Sequence, residues 1–189
     1  MGTDIHGWVE IRSSGGTWDG VLKIDSLAER VYDMFGCLFG VTNLANFRPI
    51  VDQRGFPADL SEEATRELVE WEDEWGVEPL WPTWITWQEI QDIDWEEEAL
   101  ATDSRPHRYR KLPDGSLIYH GKGLGRSDSP EMRLTEGQPH ETEEFVFKSE
   151  RIRRKDAMSP GWKLVFDLMG RLSEVYGIES LRLVVWFDR

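Results

Sequence analysis

Residues Ile5 to Arg12 alternate: Ile5, Gly7, Val9 and Ile11 face one way, and His6, Trp8, Glu10 and Arg12 face the other. A period of two predicts a strand with one buried face. Ser13 to Gly16 is a turn, and Trp18 to Ile24 returns as the second arm of a hairpin. Leu27, Val31, Met34 and Phe35 fall at helical spacing, in a short helix expected to end at Gly36. Phe39 to Pro57 reads as a long irregular loop, a length that often accompanies function. Ser61 caps a second helix, with Glu62 and Glu63 in its first turn and Leu68, Trp71 and Trp75 on one face.

Pro79 and Pro82 bracket another loop, and Thr86 with Glu89 forms a capping box opening a helix to about Leu100. Residues 101–144 are rich in Gly, Pro, Asp and Ser, with short strands expected at Leu117 to Tyr119 and Glu144 to Lys148. Ser159 and Pro160 start a helix whose stripe is Val165, Met169, Leu172 and Tyr176. Ser180 to Asp188 is a Val- and Leu-rich strand expected to be covered on both faces. Together these elements predict one α+β domain over residues 1–189. A mainly antiparallel sheet, holding the N-terminal hairpin and the C-terminal strand, is covered by three or four helices. If the terminal strands are neighbours, Asp4 and His6 lie near one end of Leu183 to Asp188.

Charge changes this picture in one place. The chain carries a net charge of −14, yet Asp59 to Asp103 alone holds 16 acidic residues against the single base Arg66. Such a segment is either a solvated helical surface or a surface aimed at a basic partner. Basic runs at Arg105 to Lys111 and Arg151 to Lys155 either bind phosphates or pair internally with the acids. No apolar stretch approaches a membrane span, and Cys37, the only cysteine, fits a reducing cytoplasm.

Candidate chemistry concentrates at few positions. Asp4 and His6, two apart in a strand, share a face and can converge on one ion or one proton, or merely anchor the strand. A divalent metal is the cofactor this pair would hold. Arg54 and Gly55 in the long loop suit a phosphate or carboxylate, unless Arg54 pairs with a neighbouring acid. Trp75, Trp81, Trp84 and Trp87 form either a core layer or an aromatic wall for a base. On the wall reading, Trp84 and Trp87 join Arg54 and Gly55 as ligand-binding residues. The Gly121 to Arg126 segment reads as a hairpin tip or surface loop, since no strand–loop–helix context surrounds it.

The tetrapeptide Asp4-Ile5-His6-Gly7 resembles the opening of calcineurin-like phosphoesterases, but the Gly-Asn-His motif of that family is missing. A broader likeness joins Met1-Gly-Thr-Asp-Ile-His6, Tyr32-Asp-Met-Phe35, Arg54-Gly-Phe-Pro57, Trp84-Ile-Thr-Trp87 and Leu183-Val-Val-Trp-Phe-Asp188. In this order they resemble a family of small phage, prophage and actinobacterial proteins with no assigned activity. Leu80-Trp-Pro-Thr83 stands where that family often has Asp-Gly-His-Ser. The resemblance implies no activity; the same-face pair Asp4 and His6 and the Arg54-Gly55 loop point to a phage-type accessory protein acting on a phosphate-containing or nucleotide-like molecule, with metal-assisted hydrolysis as one chemistry open to it. The alternative is a non-enzymatic acidic protein that inhibits a host nuclease or defence factor, or sequesters a nucleotide signal. The partners expected are accordingly a small anion or a basic protein surface, with neither membrane nor direct nucleic-acid binding.

Overall fold

The computed structural model of the chain describes residues 2–123 and 134–189, so the Gly121 to Arg126 segment lies partly outside the described residues. The fold is α+β. Two four-stranded antiparallel sheets are accompanied by four helices, α1 (Tyr32–Phe39), α2 (Glu62–Trp75), α3 (Trp87–Gln91) and α4 (Pro160–Tyr176). Among the described residues no helix is long and apolar enough to cross a membrane.

The first sheet contains β1 (Ile5–Arg12), β2 (Trp18–Lys23), β3 (Leu80–Thr86) and β8 (Leu181–Phe187) in the order β2-β1-β8-β3. β8 is central and buried along its whole length, and it pairs with β1 from Ile5↔Phe187 to Ile11↔Leu181. The terminal strands are therefore neighbours. Their shared inner face, Ile5, Val9, Leu183 and Phe187, lies in the hydrophobic core with residues of α1 and α4. Phe187 meets the Phe35 ring at 5.4 Å between centroids, and Phe39 meets Trp162 at 6.3 Å. Aromatic pairs of this kind add about 0.5–1.5 kcal/mol beyond their buried area.

α4 begins as its sequence requires: the Ser159 hydroxyl accepts from the Trp162 N–H, with Pro160 at the first helical position. α1 runs past the expected stop at Gly36. That glycine serves close packing, because a Cβ there would come within 2.8 Å of the Asn43 backbone. The helix ends instead at Gly40, with φ of 73°, a left-handed cap that glycine adopts without strain.

Three further differences have clear causes. β3 occupies a segment expected to be loop, because Pro82 is tolerated on a sheet edge where the register slips between Leu80 and Thr83. α3 stops at Gln91 rather than near Leu100. Continuing it would place Asp92 above Glu96 and Asp94 above Glu98, like charges one turn apart. Those acids instead meet the second basic run: Arg153 and Lys155 both reach Glu96, and Arg154 reaches Glu97.

Finally, the single expected sheet is two. The first basic run contains a strand, β4 (His107–Lys111), lying between β5 (Leu117–Lys122) and β7 (Phe145–Lys148), with β6 (His140–Glu141) at the edge. Val146 is the one core-grade hydrophobic residue among these four strands, so little apolar burial fixes this sheet. Ion pairs fasten it to α1. Lys122 Nζ lies 2.6 Å from both Asp33 and Asp103, and Arg105 grips the same two carboxylates. Burial works against a charged Asp103, but His107, Arg105 and Lys122 outweigh it and hold its carboxyl far below the usual range.

Candidate metal and ligand site

The outer face of the first sheet carries the even-numbered residues of β1, and α2 packs along it beside β2. One stripe of α2 turned toward the sheet is Glu63, Glu67 and Trp71, each four residues from the next. Glu63 accepts from the Gly20 N–H at 2.9 Å, and Glu67 accepts from Trp8 Nε1 at 2.7 Å. Two acids are thus brought down onto a surface that also holds His6.

His6 Nδ1 lies 2.9 Å from Asp25 Oδ2, and its Nε2 lies 3.5 Å from Asp188 Oδ2. Asp25, just past β2, also accepts from the Gly7 N–H at 3.2 Å. Lys23 Nζ sits 2.8 Å from Glu67 Oε1 and 3.4 Å from Asp25 Oδ2. Burial lowers the affinity of His6 for a proton, but Asp25 and Asp188 outweigh it, so the imidazole titrates above its ordinary value. Asp25 is shifted the opposite way: burial alone would raise it, and His6 and Lys23 bring it down.

Ligand atoms of His6, Asp25 and Glu67 all lie within 4.8 Å of one another. Two bonds of about 2.0–2.2 Å to a common ion span at most roughly 4.4 Å, so small side-chain adjustments would close the set. The donors are one imidazole and two carboxylates, which suit Zn²⁺, Mn²⁺ or Mg²⁺ rather than soft ions. The surroundings fit too. With Nδ1 on the Asp25 side, Nε2 faces Asp188, the carboxylate–histidine–metal relation that fixes the ring and strengthens the ligand.

Two buried nitrogens at this spot, Trp71 Nε1 and Trp186 Nε1, have no hydrogen-bond partner among the described residues, and His6 Nε2 has only the long 3.5 Å contact with Asp188. The rings belong together, Trp71 at 4.9 Å and Trp186 at 6.4 Å from the His6 centroid. Buried indole N–H groups nearly always find an acceptor. Beside them opens a pocket of about 360 Å³ lined by Trp71, Trp75, Leu80, Phe187, Asp188 and Arg189.

Comparison with models of known families, with curated proteins and with solved structures finds no match. The geometry alone therefore carries the argument.

The residues singled out in the sequence are distributed unevenly over this surface. His6 is at its centre. Asp4 forms a two-pronged pair with Arg30 and reaches the site only through its backbone N–H, which donates to Asp188 Oδ1 at 3.0 Å. Arg54 lies elsewhere, paired to Glu89 at 2.6 Å and stacked 5.0 Å over Trp84. Gly55 donates its N–H to the Pro82 carbonyl at 3.0 Å. Trp87 is buried and packs near Phe166.

Asp25, Glu67, Trp71 and Asp188 were not singled out as chemistry. Glu67 left a trace: it interrupts the inward stripe of α2 between Ala64 and Trp71, where an acid is out of place.

Proposed function

We propose that this chain is a metal-dependent accessory protein acting on a phosphate-containing, nucleotide-like small molecule. The observation that carries this reading is the convergence of His6, Asp25 and Glu67 beside a tryptophan-walled pocket. A divalent ion at these three side chains would polarise a phosphoryl oxygen and activate water for hydrolysis. The chain's own groups do the rest. Trp71 and Trp75 offer aromatic surface to a flat ring. Asp188 holds the His6 ring in orientation. The likeness to phage and prophage proteins is consistent with an accessory role.

A thermal-shift series tests this. Mn²⁺, Mg²⁺ and Zn²⁺ are compared with EDTA, alone and with a nucleotide panel, on wild type and Glu67→Gln. A ligand of the folded state raises the midpoint with its concentration. Stabilisation of wild type by one of these ions, lost in Glu67→Gln, is the expected result. No response to any ion refutes the proposal.

A second reading rests on a different surface. Glu62, Glu70, Glu72, Asp73 and Glu74 are all exposed on α2, and this field suits a basic partner such as a nuclease. Association through it would weaken steeply with salt, and complexes indifferent to salt would exclude it.

A further inference from the structure

We infer that Lys23 is a specificity-determining residue of this site: its ammonium is a tethered monovalent cation that a divalent ion must displace. The inference rests on the reading of His6, Asp25 and Glu67 as the metal ligands. Lys23 Nζ stands between the two carboxylates, 2.8 Å from Glu67 Oε1 and 3.4 Å from Asp25 Oδ2. The other oxygens are held from behind: Trp8 Nε1 takes Glu67 Oε2 at 2.7 Å, and the Gly7 N–H takes Asp25 Oδ1 at 3.2 Å. The oxygens left facing the site are Glu67 Oε1 and Asp25 Oδ2, both covered by the ammonium, the latter together with His6 Nδ1 at 2.9 Å. An ion bound there shares ligands with Lys23 and repels it at a few ångströms.

The placement permits displacement. Lys23 is the last residue of β2, paired across the ladder with Trp8, and its side chain is 46% exposed. Its flexible four-carbon stem can carry the charge outward into water without disturbing the sheet. A monovalent ion gains nothing over a charge already in place. A divalent ion attracts the carboxylate pair about twice as strongly at the same distance. The lysine thus sets a threshold that favours doubly charged ions and lowers the affinity even for these.

Mn²⁺ affinity, read by competition with a chromophoric chelator, separates the possibilities. Wild type, Lys23→Met and Lys23→Arg are compared, with Lys23→Gln as the substitute should the Met variant fold poorly. Lys23→Met is expected to bind Mn²⁺ at least about tenfold more tightly than wild type, with Lys23→Arg close to wild type. Adding Glu67→Gln to Lys23→Met should abolish the gain, which locates the ion. A lysine that only props the carboxylates apart would give weaker or unchanged binding when neutralised. Equal or weaker Mn²⁺ binding by Lys23→Met overturns the inference while the metal site stands. Absence of Mn²⁺ binding in both wild type and Lys23→Met overturns the site itself, and the inference with it.

Discussion

At one end of the outer face of the first sheet, Arg182 donates from Nε to Glu10 at 2.6 Å and from Nη1 to Asp59 at 2.7 Å. Its Nη2 takes the Asp59 carbonyl at 2.8 Å, and its guanidinium lies 4.0 Å from the Trp18 ring centre. The second Glu10 oxygen accepts from the Ser61 N–H, which ties the start of α2 to the sheet. At the other end, His6, Asp25, Glu67 and Lys23 use the same kinds of groups. There two indole nitrogens lack partners among the described residues, the His6 contact with Asp188 is long at 3.5 Å, and Lys23 stands half in solvent. The first cluster satisfies each group it buries and closes over it. The second leaves indole donors unmatched and covers its carboxylates with a half-exposed lysine. Identical chemistry on one strand pair serves fastening when complete and binding when incomplete.

The largest effect that would sharpen this contrast is at the closed end. Arg182→Met leaves Glu10, fully buried, without its counter-charge, and should cost roughly 3–5 kcal/mol in urea unfolding. Glu10→Met combined with Arg182→Met should recover most of that loss, since two apolar groups strand no charge. A loss under about 1 kcal/mol for Arg182→Met alone would mean the cluster does not fasten anything.

At the open end His6→Asn should cost only about 1 kcal/mol, yet remove the response to divalent ions. A stability loss matching that of Arg182→Met would erase the distinction between the two ends. The pH dependence is smaller and has a definite sign. The fold raises the proton affinity of His6 from its ordinary 6.5, with Asp25 and Asp188 outweighing burial. Its stabilisation is complete below pH 6.5 and fades as pH rises through the folded value. In EDTA, wild type should lose stability toward pH 8 and His6→Asn should lose less. Ion binding must expel the Nδ1 proton, so the response to Mn²⁺ should instead grow over the same range. The smallest effect is expected away from both ends: Arg54→Ala breaks a partly exposed pair with Glu89 and should cost under about 1 kcal/mol.

The elements legible in the sequence were those whose signals are local. The alternation of Ile5 to Arg12, the Ser61 and Ser159 caps and the apolar run of β8 each state a conformation within a few residues. β3 and β4 were hidden because their signals are tertiary: Pro82 is admissible only on an edge, and His107, Tyr109 and Arg110 of β4 find their partners in Asp103, Glu150 and Glu144. The site followed the same rule. His6 could be read from β1, because a strand fixes which face a residue takes. Its partners could not: Asp25, Glu67 and Asp188 come from the ends of β2 and β8 and from α2, and in a chain with 36 acids nothing local distinguishes them.

The pairing of Ile5 with Phe187 also governs how the molecule comes into being. During synthesis, β1 and β2 emerge well before β8, the strand that lies between β1 and β3. Until residue 187 has left the ribosome, the inner faces of β1 and α1 have no central strand to close against. Joining such distant segments requires closing a very long loop, which slows folding and leaves Phe35 and Phe39 uncovered meanwhile. Until β8 pairs, such a nascent chain is exposed to aggregation and to chaperone capture.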